Sequence, residues 1–457
     1  MAEAQPRRVL FVTGKLAAQP LRSVLSQMDP AFDYDVVEMG ITVAAFMSVE
    51  WLLPRLVVEG EYDWILLPGW CQGDLRQLET TTGIRVELGP KDLLDIPRRF
   101  GTEKARAVLD DYSTKILAEI ADAPLWPIED LLAQAEYYRH SGADIIDLGW
   151  LAQGDFPHIV EVLQELKARG FRVSLDTFHR EDVLRANRVG FDYLLSVNDS
   201  NLEIARDVDC QKVVVMPNFG QGLESLLHNV ERLERWGVAY ILDPVLNPLN
   251  LGFSESIARY LETRRRFPEA EMLMGIGNIT ELTDADSGGI NALLMGIVAE
   301  LGIQYVLTTE VVRWAWGAVR EVDAARRLMH FAHQRHLPPK NLDERLIALK
   351  DPPFQTLSEG QLRAMQKQVR DRNYRIFSDG RQIVVFNTAV FITGTDPQAI
   401  FEQMALEGDA DHAFYIGREL EKAAQAIRLG KRYVQDQPLR WGYLDEYLPG
   451  HHREVGG

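Results

Sequence analysis

Cysteine is nearly missing from this chain of 457 residues: Cys71 and Cys210 are the only two. They are too few and too far apart for a disulfide framework or a cysteine-based zinc site, and a reducing, cytoplasmic setting is expected. Positive charge is also short. Lys and Arg number 49 against 67 Asp and Glu, a formal charge of −18, which argues against a nucleic-acid partner because phosphate backbones are held by clustered Lys and Arg. An anionic substrate would need a local positive pocket. No apolar run approaches the roughly 20 residues of a membrane span. The opening "MAEAQPRR" leads into a strand without an apolar signal core, so a soluble intracellular protein is expected. The ten His form no metal motif; His333 and His336 fall in a helical pattern beside Arg326, Arg327 and Arg335, as on a solvated helix end.

What the chain does have is alternation. "RRVLFVTGKLAAQPLRSVLSQM", "FDYDVVEMG" and "YDWILLPGW" read as strands and helices of a small parallel α/β layer, residues 1–110. Its "VTGKLA" loop places Lys15 at a helix start that could accept an anion, but without the glycine spacing of a phosphate loop a plain tight turn is the competing reading. From 112 to 336 eight apolar strands recur, "KILAEI", "DIIDLG", "RVSLDT", "YLLSVN", "KVVVMP", "AYILDP", "EMLMGI" and "QYVLTT", separated by amphipathic helical patterns, several ending in Gly. That size and order predict a (β/α)8 barrel, with a doubly wound sheet as the alternative. A Pro-rich connector follows, then 345–457, where "NYRIFSDGRQIVVFNTAVFITGT" predicts a hairpin about Asp379-Gly380 before a helix, loop and helix, a small α+β domain.

In such a barrel the chemistry gathers at the carboxyl ends of the strands. There stand Asp147 on the second, Asp176 and Thr177 on the third, Asn198 and Asp199 on the fourth, Met216 and Asn218 on the fifth, Asp243 on the sixth and Asn278 after the seventh. Helix capping is an adequate account of Thr177 and Asp199. It suits Asp147 and Asp243 poorly, since "IDLGW" and "LDPVLNP" do not open a helix. Carboxylates and an amide so placed suit an unsaturated nitrogen heterocycle with paired N–H donors, with Met216 and aliphatic walls against its faces.

The strands "GADIIDLG", "RVSLDT", "YLLSVNDS", "VVVMPN" and "AYILDP" through "GF" resemble, over roughly residues 115 to 330, the pterin-binding barrel family of dihydropteroate synthase and the folate-dependent corrinoid methyltransferases. The resemblance implies that Asp176, Asn198 and Asp243 hold the pterin ring, with Asp147, Met216 and Asn278 around it. It departs from the synthases at the first-strand Asn loop, the seventh-strand Lys and the eighth-strand Arg-x-His, where this chain has "ILAEIADAP", "MGIGNIT" and "LTTEVVRWAWG". "GIGN" is closer to the methyltransferase branch, but no cobalamin domain accompanies it. The overall arrangement resembles the dihydropteroate-synthase-like proteins of organisms that make tetrahydromethanopterin. That implies a transferase joining a dihydropterin methyl diphosphate to an arylamine, ribofuranosylaminobenzene phosphate in that pathway, with Mg2+ assisting, and a homo-oligomer is expected. His179, Arg180, Arg313, Lys15 and the Gly288-Gly289 loop are the candidates for the anionic groups, and the metal ligands are left open. A methyltransferase-like protein and a pterin-binding protein without catalysis are the rival readings.

Overall fold

The computed structural model describes residues 6–101, 109–150, 154–352, 354–404, 406 and 409–446. By internal contacts the chain divides into two compact units, Met1–Tyr112 with Arg327–Asp343, and Ser113–Arg326 with Glu344–Gly457.

The first unit is built on four parallel strands, β1 (Arg8–Gly14), β2 (Asp33–Met39), β3 (Trp64–Leu67) and β4 (Arg85–Leu88), in the order β2-β1-β3-β4. Successive residues of β1 serve opposite faces, as the two-residue period requires. Val9 and Phe11 pack with Leu21, Val24 and Leu25 of the helix Lys15–Met28, while Leu10 and Val12 pack with Val49, Leu52 and Ile65 on the other side.

The second unit contains the predicted barrel. Its strands are β5 (Lys115–Ile120), β6 (Ile145–Gly149), β7 (Val173–Asp176), β8 (Tyr193–Val197), β9 (Lys212–Val215), β10 (Tyr240–Leu242), β11 (Leu273–Gly275) and β12 (Tyr305–Thr309). All pair in parallel in the order β10-β9-β8-β7-β6-β5-β12-β11, and a bridge between Leu242 and Met272 closes the ring. Helices such as Ile128–His140, Ile159–Ala168, Leu223–Trp236 and Phe253–Arg266 fill the crossovers; between β8 and β9 there is only the short turn Leu202–Arg206. The middle of the barrel is apolar, with Leu117, Ile145, Leu195, Val214, Ile241 and Leu273 buried together. Each additional pair of steps along a strand returns to this interior face.

Three antiparallel strands, β13 (Arg375–Ser378), β14 (Ile383–Phe386) and β15 (Phe391–Gly394), form the predicted small sheet. Ile376, Ile383, Val385 and Ile392 pack on the helix Ala410–Leu429, and Phe377, Phe386 and Phe391 stack along the opposite face. A buried lysine secures the chain at both ends of this layer: Lys431 Nζ donates to the carbonyls of Ala348 and Arg440, with Asp351 3.5 Å away. Farther along, the Tyr443 hydroxyl donates to Glu321. Among the described residues no helix is long and apolar enough to cross a membrane.

Candidate active site

Counting two residues on from the apolar interior gives the uppermost layer of the barrel. Leu117 leads to Glu119, Ile145 to Asp147, Val214 to Met216 and Ile241 to Asp243. Asp147 pairs in register with Ser174 and Gly149 with Asp176, so Asp176 lies on the same inward face, one inward step nearer the mouth. Four carboxylates therefore face one space, and none of these positions is Lys, Arg or His. Asp147 was expected to end its strand; β6 instead continues to Gly149, so this carboxylate sits deeper, fully buried.

Each member of the layer is set differently. Ser174 donates its hydroxyl to Asp147 Oδ1, while Asp147 Oδ2 is buried with no partner. Burial first, and then Asp176, lifts the Asp147 carboxyl well above its ordinary value. Asp176 is pushed up to about 6 by burial and by Asp243. Asp243, 9% exposed, is also pushed up to about 6 by burial, opposed by the Val245 amide, the Tyr260 hydroxyl and Arg259. Glu119, which the sequence reading passed over, is raised well above its usual range by burial, then by Asp147, Asp176, Glu281 and Asp122. Its signal lay in "KILAEI", where a carboxylate occupies an inward position of an apolar strand.

Asp243 answers to a tightly built loop. Val245 donates its N–H to Oδ1 at 2.8 Å and Tyr260 its hydroxyl at 2.9 Å. Val245 is held at φ +66, a region costly for a β-branched residue. Arg259 fixes it there by donating to the carbonyls of Pro244 and Val245 and to Asn247. These bonds occupy Oδ1 and leave Oδ2 without a hydrogen bond among the described residues. Asn198 is fully buried, and its Oδ1 accepts from the Ser200 amide at 3.0 Å and hydroxyl at 2.6 Å. That assigns Nδ2 as a donor, and it too is buried without a partner.

Of the other predicted residues Met216 shares this layer, and the rest are exposed or engaged elsewhere. Met216 is partly buried and its carbonyl accepts from Asn229. Asn278 is exposed, donating to the Leu246 carbonyl at 2.9 Å. Arg180 pairs with Asp207. His179 places Nε2 3.4 Å from Asp155 and Nδ1 2.9 Å from Asp182, the latter without the alignment of a hydrogen bond. Arg313 is exposed after β12, 6.0 Å over the Trp316 ring. Lys15 belongs to the first unit, where the first two amides of its helix donate to the carbonyls of Ile41 and Thr42, so the donors an anion would use serve the chain itself. Gly288 and Gly289, predicted in a loop, lie in the first turn of the helix Ser287–Glu300, whose Ser287 and Asn291 donate to Glu321. Glu310 accepts from Tyr137 at 2.9 Å and from the Val319 amide at 3.0 Å, and burial pushes it up to about 7.

Two family models match parts of the chain. A family of unknown function (DUF6513) covers residues 7–91 and PterinBD-DUF4346 covers residues 366–436. An uncharacterized protein of Methanocaldococcus jannaschii is 28% identical over 524 residues, taking in 94% of this chain and 99% of that one. Similar solved structures include a Yersinia pestis dihydropteroate synthase in a sulfonamide drug complex, 17% identical with a TM-score of 0.40, covering 49% of this chain and 96% of that one. Another is the dihydropteroate synthase of Anaplasma phagocytophilum with bound 6-hydroxymethylpterin-monophosphate, 18% identical with a TM-score of 0.37, covering 48% and 98%.

Proposed function

We propose that this chain is a pterin-binding transferase of the dihydropteroate synthase type, which joins a dihydropterin methyl diphosphate to an arylamine. In tetrahydromethanopterin biosynthesis that arylamine is ribofuranosylaminobenzene phosphate. The observation that carries the pterin reading is the open hydrogen-bonding capacity on one side of the mouth. Asp243 Oδ2 and both Asp176 oxygens accept nothing among the described residues, and the buried Asn198 Nδ2 donates to nothing. A 2-amino-4-oxopyrimidine ring offers N–H donors for the carboxylates and a ring or carbonyl acceptor for the amide. Leaving these groups unpaired is costly in a buried site. The pterin-named family model on the C-terminal domain supports the same reading.

The amine nitrogen is itself the nucleophile: its lone pair forms the N–C bond as the C–O bond to diphosphate breaks and the electron pair leaves on oxygen. The chain's task is to hold the two reactants in line and to meet the departing charge. For Mg2+ the described residues give one grouping with ligand spacing, Asp155, His179 and Asp182. It does not fit a hard cation, because Asp182 is already bound by the Phe156 amide and by Arg185, and a nitrogen is the third ligand.

The carboxylate layer favours a second reading, a methyltransferase-like or purely binding pterin protein from which no anionic group departs. Incubation with dihydropterin methyl diphosphate and an arylamine decides between them. Diphosphate release supports the transferase; tight pterin binding without release supports the second reading.

A further inference from the structure

The half of the mouth opposite the proposed pterin set has its own chemistry. β12, β5 and β6 are neighbours, and Thr309, Glu119 and Asp147 face one another in register across them. Thr309 Oγ1 and Asp147 Oδ2 are both buried and without partners. Glu281 completes the arc from the turn after β11, with its Oε1 and the Thr309 methyl on either side of the space above Gly277. The arc is kept open by glycine: a side chain on Gly149 would collide with the Glu119 carboxylate, and one on Gly277 would meet Glu281 at 2.9 Å. Asp147, Asp176, Glu281 and Asp122 all add negative charge around Glu119. A buried acceptor with no donor is expensive, so this arc lacks a partner that brings positive charge or N–H groups. The interior carboxylates do not bring three ligand atoms as close together as a bare metal ion needs, which favours a larger, organic cation.

We propose that Glu119, Asp147, Thr309 and Glu281 form a subsite for an organic cation, an amidinium or alkylammonium group, distinct from the Asp176, Asn198 and Asp243 set. Any anionic portion of that ligand points away from the arc.

Benzamidine and benzoate, a cation and an anion of nearly the same size, test the subsite on the full chain by calorimetry, with and without 6-hydroxymethyl-7,8-dihydropterin. Benzamidine is expected to bind at least about tenfold more tightly than benzoate. Glu119→Gln and Asp147→Asn should each remove most of that preference, with melting temperatures recorded to confirm folding. Benzoate binding as well as benzamidine, or a preference unchanged in both folded variants, overturns the proposal. Loss of the preference on adding millimolar Mg2+ to the wild type also overturns it, because the arc is then a metal site. Failure of the pterin to bind while benzamidine still depends on Glu119 counts against the pterin reading and for the subsite.

Discussion

The Tyr260 hydroxyl stands 2.9 Å from Asp243 Oδ1 and 3.0 Å from the Leu273 carbonyl. Its single proton can serve only one of them fully at a time, and with the Val245 amide it pins one oxygen of the carboxylate and turns the other towards the mouth. Tyr260→Phe frees that carboxylate to rotate. It is expected to weaken reduced-pterin binding about tenfold, close to 1.4 kcal/mol, and to cost about 1 to 2 kcal/mol of stability. Titration calorimetry and denaturant melts measure the two effects separately.

The pH dependence follows from the direction of the shifts. Asp176 and Asp243 are raised from 3.8 to about 6, so between those values the folded chain holds protons that the unfolded chain has lost. Stability from these groups is therefore greatest below pH 3.8, falls as pH rises through 6 and is level above. The stability of wild type relative to Asp176→Asn should fall by on the order of 2 to 3 kcal/mol across that window, measured by urea melts at several pH values. Pterin affinity should move the other way, rising through pH 6, because ionised carboxylates are the better acceptors of ligand N–H groups.

Gly149→Ala places a methyl group against the Glu119 carboxylate, 3.0 Å from its Cδ. The carboxylate is the far end of a flexible side chain, so the fold should survive with a change within about 1 kcal/mol. Benzamidine binding should nevertheless fall about tenfold, as the displaced carboxylate leaves the arc. Calorimetry on the folded variant reads this out.

Lys431→Met removes the donor shared by the Ala348 and Arg440 carbonyls and the charge beside Asp351. Leaving those groups buried and unpaired should cost about 3 kcal/mol, seen as a lower denaturation midpoint.

The barrel was legible because its strands are continuous apolar runs and its crossovers are amphipathic, the pattern a parallel sheet buried on both faces must have. The strand-end places of Asp176, Asn198 and Asp243 were legible for a related reason: a polar group that ends a buried run stands out. Glu119 did not, because it lies one residue short of the end of β5, and only the inward parity of Leu117 shows which way it points. The partners of Arg180 and His179 were hidden as well. Asp207 and Asp155 come to them from other loops, and long charged side chains take the nearest opposite charge, which local spacing does not encode. Tyr260 looked like an ordinary helix residue, since its contact with Asp243 spans two elements.

The pterin site is tested most directly by titrating 6-hydroxymethyl-7,8-dihydropterin into wild type, Asp243→Asn and Asp176→Asn by calorimetry, with melting curves for each. Asp243→Asn keeps the shape of the side chain but can present an N–H to a ligand donor, so pterin affinity should fall by roughly 30-fold or more, about 2 kcal/mol, while the variant remains folded. Because Oδ1 also holds the Val245 amide, a modest loss of stability should accompany it. Unchanged affinity in both folded variants, with the loss confined to stability, would make Asp243 a loop anchor and contradict the pterin site.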